Sequence, residues 1–401
     1  MIRWATEVGA MDFRFTREQE AFRKQVRGFL GQELPAGWAG QDEDYGDEAW
    51  AFTQRMRKRL AAKGWLTMAW PKEYGGMGAP HIQQMIFAEE MAYHRAPGRD
   101  GQGVGMVGPT LMINGTEEQK KQHLGAIGRG EVVWCQGYSE PGSGSDLASL
   151  QTRAAADGDD FVINGQKIWT SGAHRADWVH VLTRTDPNAP KHRGISYFMV
   201  PVKTPGITVR PLINMANLHG FNEVFFDNVR VPRRNMIGEE NRGWYVATTT
   251  LDFERSGVDR AASARRTLEE LVEFARETKR NGQRLAADPT VAGRLAELRV
   301  EVEVCRMLCY RIGWMQSKGL VPNAESSMGK LYGSELQQRL AGAGVAIMGL
   351  YGQLAAGSKW APLRGRFERA YLTSVSSTIA AGTSEIQRNI ISQRGLGLPR
   401  G

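Results

Sequence analysis

Apolar positions recur at two different periods along this chain. Phe15, Phe22, Val26, Phe29 and Leu30 are spaced as one face of a helix, and Thr16-Arg17-Glu18-Gln19 ahead of them is a capping box. Glycine-rich stretches such as Tyr74-Gly75-Gly76-Met77-Gly78 break further helices up to about residue 130. From about 131 the period shortens to two. Residues 161–172 alternate around Asn164-Gly165, a dipeptide that predicts the turn of a β-hairpin. Strands are then expected over 178–184, 195–201, 207–212 and 223–232, separated by Pro, Gly and Asn clusters. Helical spacing returns from Gly243 to about Gln316, with Leu268, Leu271, Val272 and Ala275 as one stripe, and two more helical segments run to 395. No internal repeat is evident. The pattern predicts an α+β chain: an N-terminal helical domain over 1–130, a central β-domain over 131–240 and a C-terminal helical bundle over 241–401.

Composition narrows the functional classes. The 401 residues are 41% hydrophobic and 23% charged, ordinary for a globular protein with a large core. The net charge of +8 is spread along helical stretches without a basic block, so no nucleic-acid footprint is read from it. Cys135, Cys305 and Cys309 make no disulfide framework. Cys305 and Cys309 share a helix face, but no neighbouring Cys or His pair completes a metal site, so core packing is expected. The first 30 residues lack a signal-peptide core, and no run of about 18 apolar residues suggests a membrane span. A cytoplasmic protein that binds neither membrane nor nucleic acid is expected.

Three short segments carry candidate chemistry. Ala381-Gly382-Thr383-Ser384 is a glycine-centred break feeding a helix near Glu385, with Ile386, Ile390 and Ile391 expected on one face. Such a break presents backbone N–H groups to an anionic or carbonyl oxygen. In Tyr138-Ser139-Glu140-Pro141-Gly142-Ser143-Gly144-Ser145, the small residues let backbone approach a planar or phosphate-bearing ligand. Trp169, beside the hydroxyls of Thr170 and Ser171, reads on its own as core.

Together, and in this order, the segments resemble the acyl-CoA dehydrogenase family over essentially the whole chain. The stretches 64–76, 115–124, 163–172, 192–201 and 221–232 add to the resemblance. It implies an FAD enzyme of that fold, oxidising a CoA thioester to its trans-2-enoyl form. Tyr138 and Ser139 would lie along the flavin pyrimidine, Trp169 on the isoalloxazine, and the Ser171 hydroxyl at flavin N5. Ser145 would sit near the pantetheine of the substrate, and Thr383, with Glu385 beside it, at the FAD pyrophosphate region.

The expected base is displaced. Many members of the family carry a glutamate directly before the Gly-Thr of the tail, where this chain has Ala381. Alanine keeps the backbone N–H that the family uses to hold the thioester oxygen. Other members place the base as the Glu of a Glu-Arg pair on a helix of the C-terminal domain, and Glu254-Arg255 matches it. The resemblance therefore implies Glu254 as catalytic base, Asp252 at the pantetheine and Arg255 lining the substrate site. Without the resemblance, Glu254 would read as one more solvated helical glutamate.

One half of the implied cofactor site departs from the family. The segments that a neighbouring subunit offers to the ADP part of FAD correspond to 278–283 and 346–352. Here Thr278, Asn281, Ala346 and Leu350 replace the family's Arg, Phe, Gln and Gly, with Arg280 as a possible substitute cation. A homo-oligomer, or a heteromer with a related subunit, is implied, with an electron-transferring flavoprotein as electron acceptor. Two rival readings are a non-catalytic partner subunit and a flavin monooxygenase on the same fold.

Overall fold

A computed structural model of the chain describes residues 12–41, 46–250 and 257–399. The described residues form two compact units, one lying within 1–40, 80–96 and 255–401, the other within 41–79 and 97–254.

In chain order the helices are α1 (Arg17–Glu33), α2 (Asp47–Ala62), α3 (His81–Tyr93), α4 (Gly108–Asn114) and α5 (Glu117–Gly128). After the strands come α6 (Gly243–Thr250), α7 (Val258–Glu277), α8 (Pro289–Ser317), α9 (Asn323–Met348), α10 (Arg366–Ser377) and α11 (Ser384–Ile390). The strands are β1 (Trp134–Gly137), β2 (Arg153–Asp157), β3 (Asp160–Lys167), β4 (Trp178–Arg184), β5 (Ile195–Pro201), β6 (Ile207–Leu212), β7 (Phe221–Pro232) and β8 (Met236–Ile237). A two-stranded ribbon of β9 (Lys279–Arg280) and β10 (Gln283–Arg284) lies between α7 and α8.

The helical unit is assembled from α1, α3 and α7–α11. Thr16 caps α1 in the expected capping box, and Phe22, Val26, Phe29 and Leu30 are buried. The core of this unit joins Leu268 and Leu271 of α7 to Leu298 and Val302 of α8 and Leu336 and Leu340 of α9, with Cys305 and Cys309 buried among them. Arg23 and Arg27 of α1 clasp Glu90 of α3, and the Tyr310 hydroxyl of α8 donates to Glu89. These ion pairs and the tyrosine–carboxylate hydrogen bond stitch three helices that are far apart in sequence.

The other unit is built on a sheet ordered β6-β7-β3-β2-β4-β5-β8, with β1 parallel to β4. Its middle strands are buried on both faces, as their near-continuous apolar runs require. Val179 and Val181 enter one core with Phe161, Ile163 and Phe198, while Leu182 and Tyr197 enter another with Trp70, Leu111 and Ile127.

Two sequence expectations need correction. Asn164-Gly165 is not a turn; it lies inside β3, where the pairing to β7 shifts between Ile163 and Gly165. The β2–β3 turn is Gly158-Asp159, with Gly158 at φ 62°. Gly165 serves a close approach instead. A Cβ there would stand 2.6 Å from Thr152 Oγ1 and 2.7 Å from Thr152 Cα. The Asn-Gly pair that does make a hairpin is Asn281-Gly282, at φ 52° and 81°, joining β9 to β10.

The second correction concerns α11. Its buried residues are Ser384 and Gln387, while Ile386 is exposed and Ile390 and Ile391 are only partly covered. Gln387 turns inward because its Nε2 donates to Ala381 O (3.1 Å) and reaches Gly382 O (3.4 Å). That polar tie orients the helix against its apolar stripe.

Candidate active site

The loop after β1 and the end of β3 are brought together in the sheet-bearing unit. Lys167, the last residue of β3, is fully buried and donates to Tyr138 O (3.0 Å) and Glu140 Oε1 (2.7 Å). The Glu140 carboxylate also accepts from the backbone N–H groups of Gln151 (2.6 Å) and Thr152 (2.8 Å). One residue further, Ile168 N donates to Ser139 O at 2.9 Å. The loop 138–152 is therefore anchored to β3 by an ion pair and main-chain bonds. Burial pulls Lys167 down to about 8, against the attraction of Glu140. Burial would raise the Glu140 carboxyl, but Lys167 and the N–H donors outweigh it and hold it low. The pair is ionised at neutral pH.

Neither residue was singled out from the sequence. A glutamate three residues before a serine, and a lysine ending an alternating run, carry no local signal of pairing. Only strand register brings them together.

Beyond Lys167 the backbone turns sharply. Trp169 takes a left-handed φ of 59°, and its side chain is 55% exposed. The expectation of a core tryptophan from local reading alone is thus overturned. Thr170 is buried and Ser171 exposed, so indole and hydroxyl both leave the protein surface. The turn is pinned from β7 and the residue just before it: Thr170 N donates to Asn222 O and Gly172 N to Gly220 O, each at 3.0 Å. The Trp169 indole stands edge-on to Phe221, 6.0 Å between centroids.

Beneath the loop, Tyr138 is buried, its ring edge-on to His180 and Tyr197. The Tyr197 hydroxyl and His180 Nδ1 are 2.7 Å apart, and His180 Nε2 is 3.2 Å from Gln102 Oε1. Burial lowers His180 to about 3, so its ring is neutral. It accepts from Tyr197 and donates to Gln102. Farther along the loop, Ser145 is exposed, and the neighbouring Asp146 pairs with Lys191 at 2.5 Å. A Cβ added at Gly142 or Gly144 would meet nothing within 4 Å, so these glycines leave open space above the loop.

The tail segment lies in the helical unit. Ala381 sits at φ 55° and Gly382 at φ 88°. Thr383 caps α11, its hydroxyl accepting from Ile386 N at 3.2 Å. Lys330 Nζ donates to Gly382 O at 2.6 Å, holding the bend from α9. The Glu385 carboxyl is lowered by its own backbone N–H and by the Thr383 hydroxyl. Thr383, Ser384 and Glu385 line a cleft of about 430 Å³ with Gln338, Arg339 and Arg388. The Arg280 guanidinium donates to Ile347 O at 2.7 Å, just before the turn that carries Leu350, and keeps its charge. Leu350 itself is 82% exposed. Asp252, Glu254 and Arg255 lie outside the described residues.

Models of the acyl-CoA dehydrogenase N-terminal, middle and C-terminal domains match residues 16–131, 135–229 and 241–396 in succession. The chain belongs to the acyl-CoA dehydrogenase family. It is 38% identical to acyl-CoA dehydrogenase IpdE1 of Mycobacterium tuberculosis over 391 residues, covering 96% of this chain and 99% of that protein. Acyl-CoA dehydrogenase FadE26 of the same organism is 36% identical over 401 residues, 97% of this chain and 99% of its own length. Among solved structures, the Tcur3481-Tcur3483 steroid ACAD superposes with a TM-score of 0.88 at 35% identity, covering 98% of this chain and all of that one. The ChsE4-ChsE5 complex from Mycobacterium tuberculosis does so with a TM-score of 0.87 at 36% identity, with the same coverage. The protein is therefore an acyl-CoA dehydrogenase by family and by fold, with helical, β and helical domains in order. Among the described residues no cluster could hold a metal ion, and no helix is long and apolar enough to cross a membrane.

Acyl-CoA dehydrogenases are flavoproteins, and the residues present fit a flavin. An exposed indole and an exposed hydroxyl flank one anchored turn. Thr170 Oγ1 in that turn, and separately Ser384 Oγ in the tail segment of the helical unit, are buried without a hydrogen-bond partner. Such orphaned groups are rare in finished interiors and fit a polar ligand placed against them.

Proposed function

We propose that this acyl-CoA dehydrogenase binds FAD and converts an acyl-CoA thioester to its trans-2-enoyl-CoA, with Glu254 as the base. The observation that carries the reading is the Lys167–Glu140 anchor, which ties the loop at Tyr138-Ser139 to the end of β3, from which Trp169 and Ser171 emerge exposed. FAD, when bound, supplies the acceptor for the β-hydrogen, which leaves with its electron pair as hydride. The chain's own residues do the rest. Tyr138 and Ser139 border the flavin pyrimidine, Trp169 packs on its ring system, and Ser171 donates to its reactive edge. Ser145, Asp252 and Arg255 receive the CoA arm and acyl chain. The Glu254 carboxylate takes the α-proton, because Ala381 brings a methyl where many relatives bring a carboxylate. The Ala381 N–H remains to polarise the thioester oxygen. Thr383, with Glu385 and Arg280, belongs to the FAD pyrophosphate side.

The substrate class we assign is a CoA thioester with a bulky, steroid-type acyl chain, and the assembly a pairing of unlike related subunits. Supporting both is the likeness to a structure described as a steroid ACAD and to the ChsE4-ChsE5 complex. Exposed Leu350 and the ribbon turn at Asn281-Gly282, where the family offers other residues to FAD, support a partner that completes the site. The electron acceptor is an electron-transferring flavoprotein, and the compartment the cytoplasm.

The test is reductive bleaching of the yellow protein by acyl-CoA thioesters under anaerobic conditions. Glu254→Gln is expected to slow bleaching by at least ~10³-fold with FAD content unchanged. A variant that keeps more than about a tenth of the rate removes Glu254 from the role. Calorimetric FAD titration of the chain alone checks the assembly. Sub-micromolar affinity (about −8 kcal/mol or better) in a homo-oligomer would dispense with the unlike partner.

A further inference from the structure

Asn222, in β7, is fully buried, yet its amide has three polar neighbours. Nδ2 donates to Thr170 O at 3.0 Å and stands 3.2 Å from His174 Nδ1, while Oδ1 lies 2.9 Å from His219 Nε2. Its main chain takes part as well, since Asn222 O accepts from Thr170 N at 3.0 Å. Thr170 is the middle residue of the turn that sends Trp169 and Ser171 outward. Asn222 thus holds both polar backbone groups of that residue.

The partners assign the protons. Thr170 O can only accept, so the amide nitrogen faces it and the amide oxygen faces His219. His219 Nε2 is then a donor, and His174 Nδ1, opposite the amide nitrogen, is an acceptor on a neutral ring. The two imidazoles stack 4.1 Å apart at 25°. Protonating His174 would turn an N–H toward the amide N–H and place a cation over His219. The titratable and charged groups that face His174 are His219 across the stack and Arg175 beside it, the latter paired with Asp47 at 2.6 Å. Burial, then His219 and Arg175, keep the His174 ring below its usual range, and an amide N–H donated to Nδ1 favours the same neutral form.

We propose that Asn222 is a positioning residue for the Trp169–Thr170–Ser171 turn, and that it holds the turn only while His174 is uncharged. The functional consequence rests on the flavin reading of Trp169 and Ser171; the positioning itself does not. Acidification is then expected to release the turn without unfolding the sheet, displacing the indole and hydroxyl together.

The experiment follows the Trp169 indole N–H by NMR in protein labelled with ¹⁵N-tryptophan, the resonance assigned by its loss in Trp169→Phe. Wild type, Asn222→Ala, Asn222→Asp and His174→Asn are compared at about pH 7.5 and about pH 4.5, the lower value set beneath the ordinary histidine range because the His174 ring is held below it. Asparagine at 174 sets an amide oxygen where Nδ1 stands and cannot be protonated. The Asn222 variants should shift the Trp169 resonance at both pH values and weaken FAD binding about tenfold. Wild type should move toward that shifted position on acidification, and His174→Asn should stay in place. A Trp169 resonance unmoved in Asn222→Asp, which keeps size and one acceptor, would overturn the proposal. So would an acid response that persists undiminished in His174→Asn. Failure of every form to bind FAD while the resonance behaves as expected would reject the flavin reading and leave the positioning intact.

Discussion

Lys167 Nζ lies 2.7 Å from Glu140 Oε1, with the lysine wholly buried and the glutamate nearly so. The same ammonium reaches Tyr138 O, and the same carboxylate reaches the backbone of Gln151 and Thr152. A buried pair of this kind stabilises little relative to an apolar core, but removing one partner strands the other. Lys167→Met should therefore cost about 3–5 kcal/mol, read from urea denaturation. A loss below about 1 kcal/mol would mean the loop is held without the pair.

Acid should weaken the sheet-bearing unit through His180. Its ordinary value of 6.5 falls to about 3 in the fold because burial disfavours the cation. A depressed folded value makes this contribution complete above about pH 6.5 and progressively lost as the pH falls toward 3. Between about pH 6.5 and 5 the expected loss is about 2 kcal/mol, followed by denaturation midpoints. His123, lowered to about 4 by burial, adds in the same direction. His180→Asn should flatten the profile; an equally steep one would assign the acid sensitivity elsewhere.

Gly165 and Gly144 should answer to alanine differently. At Gly165 a Cβ would press on Thr152 Oγ1 and Cα, and φ is 149°, so Gly165→Ala should destabilise by about 1–3 kcal/mol. At Gly144 nothing lies within 4 Å, and Gly144→Ala should stay within about 0.5 kcal/mol. Thermal melts of the two variants make the comparison. Similar losses in both would show that crowding at Thr152 is not what demands glycine.

Trp169 and Ser171 should separate binding from chemistry. Trp169→Ala should weaken FAD retention by about 0.5–1.5 kcal/mol beyond the lost contact area, measured by calorimetry. Ser171→Ala should leave FAD bound and slow its reduction, measured by stopped flow. Undiminished reduction in both variants would place the flavin ring elsewhere.

The succession of a helical, a β and a helical region, the capping box at Thr16, the buried faces of α1 and α7 and the resemblance in three separated motifs were legible in the sequence, while β1, β2 and the β9–β10 ribbon were not. Each depends on spacing within a few turns or a few strand residues, which local backbone geometry enforces wherever the segment lies. The base at Glu254 was legible only through the resemblance, set against the alanine at 381. What the tertiary structure decided depends on partners far apart in the chain. Asn164-Gly165 and Asn281-Gly282 are the same dipeptide, yet the first is drawn into β3 by the β7 ladder and the crowding of Thr152. The second, with open space around Gly282, makes the tight turn. Trp169 is apolar enough for a core, but Asn222 and Gly220 hold its turn so that the indole faces outward. Glu140 and Lys167 look like ordinary charges until register seals them together, because a charge is stable away from water only beside its complement.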